Sequence, residues 1–126
     1  MDAATSPRPP NFCWDTVRVV DRTALAVVSA GGVLGALTRW AISVTWPGTV
    51  WTTWAINVSG CFLIGVLYTR VERRIPRLLI GTGFLGGYTT FSTAMVEVSV
   101  AGLVYLAATL TGCLLAVLAG SLLARR

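Results

Sequence analysis

The chain predicts an all-α integral membrane protein of four transmembrane helices, the third broken near its middle, and three observations lead there. Of 126 residues, 55% are hydrophobic and 12% charged, mean hydropathy is +0.74, and there is neither His nor Lys. A soluble domain of this size needs far more surface charge. Four apolar runs, near Ala24–Trp46, Trp51–Thr69, Leu78–Val100 and Leu103–Ala124, each approach the ~20 residues that cross a bilayer as helix. The third run carries Gly81-Thr-Gly-Phe-Leu-Gly-Gly-Tyr-Thr-Thr-Phe-Ser-Thr93 where a spanning helix should be aliphatic. Every backbone N–H and C=O in hydrocarbon needs a partner. A glycine-weakened helix full of hydroxyls is therefore tolerated only where it is buried in protein or lines a polar path.

Residues 1–22 read as a cytoplasmic N-terminal tail and residues 23–126 as the four-helix membrane domain. Met1 to Asn11 holds Asp2 and three prolines but no apolar core, so no cleaved signal is expected. Nine of the ten arginines fall in three places: Arg8, Arg18 and Arg22 before the first span, Arg70, Arg73, Arg74 and Arg77 between the second and third, and Arg125 and Arg126 at the end. Those segments share one side of a four-helix topology, and the segments at Pro47–Val50 and Ala101–Gly102 carry no charge. The positive-inside rule then puts both termini in the cytoplasm, with the chain in the cell's inner membrane. No aromatic-interleaved basic face supports a nucleic-acid partner. Three cysteines, with Cys61 and Cys113 inside spans, read as packing residues and not as a disulfide framework.

Polar residues within the spans are costly and can be taken one at a time. Arg39, well inside the first span, must snorkel to the outer interface, pair, or face water; position leaves structural snorkelling and anion attraction both open. Gly31 and Gly35 on that helix form a small-xxx-small pair for close helix approach. In the second span Thr53, Asn57 and Cys61 share one face, and Asn57 either donates N–H groups to an anion or bonds a neighbouring helix. In the fourth span Tyr105, Thr109 and Cys113 make a second semi-polar stripe. Two stripes flanking Thr89, Thr90, Ser92 and Thr93 point to a lined path. Neutral donors without an acidic ring suit an anion or small neutral solute better than a metal cation.

Three motifs in order, Gly32-Val-Leu-Gly35-Ala-Leu-Thr-Arg39, Thr53-Trp-Ala-Ile-Asn57-Val-Ser-Gly60 and Gly83-Phe-Leu-Gly-Gly-Tyr-Thr-Thr-Phe-Ser-Thr93, resemble the first-, second- and third-helix patterns of the CrcB/Fluc fluoride channels. The resemblance implies a dimer of two antiparallel subunits, fluoride pathways between them and a structural sodium ion at the centre. It implies that backbone carbonyls of Gly86 and Thr89 hold the sodium and that Phe91 turns its ring edge to fluoride. Asn57, Ser92 and Thr93 would donate hydrogen bonds, Thr53, Tyr105 and Thr109 would line the route, and Arg39 would attract the anion. The implied activity is passive fluoride export down its gradient, relieving fluoride toxicity.

Two departures are expected to matter. Where the family has Ser-Thr-Phe, this chain has Ser92-Thr93-Ala94, leaving one ring missing from one route. The arginine bias also fixes one orientation, and a fixed protomer cannot pair antiparallel with itself. The chain therefore reads as half of a heterodimer with an oppositely inserted paralogue. Rival readings are a proton-coupled small multidrug-type exporter, kept alive by Glu97, and a non-conducting accessory subunit. With no His and no nucleophile–base pair, an enzyme is not expected.

Overall fold

A computed structural model describes residues 21–47 and 49–126. The expected tail, with Arg8, Cys13 and Arg18, lies almost wholly outside the described residues. Helix α1 (Arg22–Thr45) starts where the Asp21 carboxylate accepts from the N–H groups of Thr23 and Ala24 at 3.1 and 3.3 Å, satisfying donors that a helix start leaves free. Pro47 follows its end. Helix α2 (Val50–Arg70) stops at a basic last turn, which suits its negative dipole end.

The next stretch changes character repeatedly. A short turn, α3 (Arg74–Pro76), leads into a π-helical segment, Arg77–Leu85, and a last turn, α4 (Gly86–Tyr88). Thr89 (φ −77°, ψ 156°) and Thr90 (φ −143°, ψ 126°) are extended. Helix α5 (Phe91–Ala124) then begins, holding Gly102 at φ 79°, ψ −172°, a conformation open in practice to glycine alone. No strand occurs among the described residues.

Gly102 reverses the chain. Glu97 accepts hydrogen bonds from both Thr53 and Tyr105 at 2.6 Å, although residues eight apart in a straight helix lie about 12 Å from each other. Residues 91–101 run antiparallel to α2, pairing Glu97 with Thr53 and Thr90 with Asn57. Residues 103–124 run parallel to it, with Trp54 Nε1 donating to the Ala108 carbonyl at 3.1 Å and Arg70 Nε to that of Ala124 at 2.5 Å.

Backbone-to-backbone contact needs small residues. A Cβ on Gly83 would sit 2.8 Å from the Val28 oxygen and 3.0 Å from the Gly31 Cα, and one on Gly35 would overlap the Phe84 carbonyl. Thus α1 lies directly on the Arg77–Leu85 segment, as its small-xxx-small pair suggests. Gly65 and Gly120 do the same between α2 and residues 103–124.

Apolar side chains point outward almost everywhere. Among the described residues the buried hydrophobic positions are Ile56, Leu85, Ala94, Tyr105 and Ala124, whereas Val100 and Val104 are 79% and 80% exposed. Such a surface inverts the rule for water-soluble chains. Three helical stretches, Arg22–Thr45, Val50–Arg70 and Arg74–Ala124, are long and apolar enough to cross a membrane. This is an all-helical membrane protein. Arg22, Arg70, Arg73, Arg74 and Arg77 cluster at one end, tied by a 3.3 Å Asp21–Arg74 ion pair, while Trp46 and Trp51 mark the other.

Candidate ion pathway

The break at Thr89 and Thr90 is held open by side chains. In a continuous helix the Thr90 N–H would bond the Gly86 carbonyl; here it donates to Asn57 Oδ1 at 2.8 Å, and Asn57 Nδ2 returns a bond to the Thr90 carbonyl at 2.9 Å. Asn57 is buried and acts as a peptide-like clamp on a single residue of another segment. Likewise the Thr93 N–H, which would bond the Thr89 carbonyl, donates to Thr90 Oγ1 at 3.3 Å as an N-cap bond. The carbonyls of Gly86 and Thr89 therefore lose their helical donors, as do those of Gly87, which accepts from Arg39 Nε instead, and Tyr88. Gly86 faces open space, with nothing within 4 Å of where a Cβ would stand.

The other expected site residues fall around this break. Arg39 is half-buried and pairs with no acid among the described residues: its Nε donates to the Gly87 carbonyl at 3.3 Å, bracing the last turn before the break. Ser92 and Thr93 are exposed and share hydroxyl contacts with Thr90 at 3.4 and 3.1 Å. Phe91 is 75% exposed. The Phe91 and Ser92 N–H groups, in the first turn of α5, have no intrahelical acceptor.

Two cavities flank the break. One, of about 260 Å³, is lined by Asn57, Phe91, Ala94, Tyr105, Thr109 and Cys113 among others. The second, of about 270 Å³, takes in Thr53, Thr93 and Glu97 at the arginine-free end. Glu97 joins the stripes that sequence periodicity keeps apart: Thr53 and Tyr105 both donate to its carboxylate. Thr109 donates back to the Tyr105 carbonyl at 2.8 Å, the local bond usual for a hydroxyl in an apolar helix. Arg39, Gly86 and Ser92 line neither cavity. Bonding to a neighbouring segment is one of the two readings open to Asn57, but nothing local names Thr90 as its partner, and sequence reasoning missed the Ser59–Tyr88 hydroxyl contact at 3.1 Å.

Fold and site together define a small helical membrane protein organised around an interrupted helix with uncharged donors at the gap. The chain belongs to the CrcB family: the family model described as "CrcB-like protein, Camphor Resistance (CrcB)" matches residues 26–121. It is similar to a Rhodococcus jostii protein named "Fluoride-specific ion channel FluC 1", at 45% identity over 81% of this chain and 86% of that one. A Nocardia farcinica protein named "Fluoride-specific ion channel FluC 2" is 42% identical, covering 84% and 88%. A FluC 1 of Streptomyces coelicolor is 42% identical, covering 94% and 85%.

Proposed function

We propose that this chain is a subunit of a fluoride-specific channel that lets fluoride leave the cell passively and so relieves its toxicity. The observation that carries the reading is the diverted pair of hydrogen bonds at the break, supported by family membership. A small anion holds its water strongly, so a path must replace that shell with closely spaced donors. Hydroxyls of Ser92 and Thr93, the remaining Asn57 N–H, the Phe91 ring edge and the first-turn amides of α5 are such donors; Thr53, Tyr105 and Thr109, whose single hydroxyl hydrogens go to Glu97 and the Tyr105 carbonyl, line the route. Arg39 adds positive charge nearby. The chain is a conduit and not an enzyme.

Arg74–Ala124 would run about 76 Å if straight, more than two bilayer cores, and Gly102 folds it back. The protein thus crosses the cell membrane four times, its third crossing broken at Thr89 and Thr90. The arginine-rich end and both termini are cytoplasmic, and residues 1–22 form a tail ahead of the channel domain, 23–126.

The freed carbonyls of Gly86 and Thr89 fit a sodium ion: they are hard, uncharged oxygens without helical donors, and Gly86 is open to a second chain. Such an ion supplies a fixed positive charge that offsets part of the anion's dehydration cost. Each chain offers two of these oxygens, too few for a hard cation, so the site is completed by an antiparallel partner. The partner is an oppositely inserted paralogue, because the arginine bias commits this chain to one orientation. Buried Ala94 fits the same reading, since it borders the 260 Å³ cavity into which a phenylalanine ring there would project. Fluoride-electrode efflux from liposomes tests this. The chain with its paralogue conducts and the chain alone does not; robust efflux from the lone chain sinks the heterodimer, and none from either preparation sinks the channel.

A further inference from the structure

Cys61 and Cys113 belong to different helices, yet the fold sets them at one depth. Thr53 and Tyr105 are anchored at the same height by their shared acceptor, Glu97. From there α2 and residues 103–124 run parallel, and each cysteine lies eight residues, about 12 Å, further on. The contacts on either side agree, with Gly112 against Val58 above and Gly65 against Val117 below. The two thiols are direct neighbours, both free, both half-buried, and both on the wall of the 260 Å³ cavity.

We propose that Cys61 and Cys113 form a two-sulfur site for a divalent thiophilic cation of two-coordinate preference, the mercuric ion being the type, and that filling it closes the path. The second half rests on the proposed channel function; the first does not. Among the described residues no third Cys, His, Asp or Glu joins the pair. Tetrahedral zinc would need four ligands, whereas two soft thiolates match a linear soft cation. Charge favours the same class, because a divalent ion on two thiolates is neutral and a neutral complex suits an apolar cavity. Each S–H bond lost becomes an S–metal bond, two protons leave to solvent, and no electrons are exchanged. The bound ion lies one helical turn beyond Asn57 and Thr109, narrowing the cavity below the break.

The test uses the full chain carrying Cys13→Ser, so that only this pair of thiols remains. Mercuric chloride is added to detergent-solubilised protein, and metal per chain is counted by mass spectrometry after challenge with excess monothiol. One ion per chain is retained, and a dithiol chelator removes it. Cys61→Ser and Cys113→Ser each lower retention by about 100-fold, the gain expected of two tethered ligands over one. Two ions per chain, or retention indifferent to either substitution, overturns the site. In liposomes holding the conducting complex, mercuric chloride stops efflux and the dithiol restores it, each variant being compared with its own untreated rate. Retention of one ion with efflux unchanged overturns the closure. A complex silent before treatment overturns the channel function instead, and the binding count still decides the site.

Discussion

Replacing Asn57 by leucine removes the clamp while keeping an apolar side chain of similar bulk. Both partners of the buried amide are backbone groups of Thr90, its N–H at 2.8 Å and its carbonyl at 2.9 Å. Leaving a buried polar group unpaired costs about 1–3 kcal/mol, so losing both amounts to about 2–6 kcal/mol. If the freed N–H returns to the Gly86 carbonyl and re-closes the helix, the loss falls to the low end of that range, and the oxygen proposed for sodium is withdrawn. Efflux falls by either route. Asn57→Asp loses at least as much, because an ionised carboxylate there buries a charge and sets an oxygen against the Thr90 carbonyl. Unfolding by titration with sodium dodecyl sulfate, at fixed protein concentration and read by the fluorescence of the five tryptophans, measures the loss. A leucine variant within about 0.5 kcal/mol of the parent, with efflux unchanged, refutes the clamp.

Phe91→Ile should abolish efflux from the conducting complex while changing stability by less than about 0.5 kcal/mol, because the ring is 75% exposed in the single chain; full efflux would remove Phe91 from the path. Gly35→Ala should prevent folding, since its methyl overlaps the Phe84 carbonyl, whereas Gly86→Ala should fold normally; circular dichroism and gel filtration compare the two. Gly102→Ala should destabilise by about 1–3 kcal/mol in the same detergent titration, the cost of an L-residue at φ 79°, ψ −172°. Collapsing a proton gradient with an ionophore should leave fluoride efflux intact, and strict dependence on that gradient would favour the exporter reading of Glu97.

Much of this was legible in the amino-acid order because it depends on local chemistry. Hydrophobic run length placed α1 and α2 to within two residues, and the uncharged Ala101–Gly102 boundary fell on the reversal. Glycines and hydroxyls between Gly81 and Thr93 marked where regular helix fails. What stayed hidden is set by residues far apart in sequence. Asn57 and Thr90 are separated by 33 positions, and periodicity could say that Asn57 shares a face with Thr53 but not which backbone it would grip. Arg39 was read for its charge, yet its observed bond goes to a main-chain oxygen 48 positions away. The π-helical bonding over Arg77–Leu85 was not legible either, because Gly81 and Gly83 flag a weakened helix without specifying which helical pattern replaces it.

The amide clamp has a consequence for assembly. Donor and acceptor belong to one polypeptide, so the interruption in the helix is present before any second chain or ion arrives. A partner would meet a rigid, prearranged surface, and complex formation would carry no entropic charge for unwinding backbone. Association strength should therefore track shape and packing at that surface, and not the helical propensity of the residues that cross it.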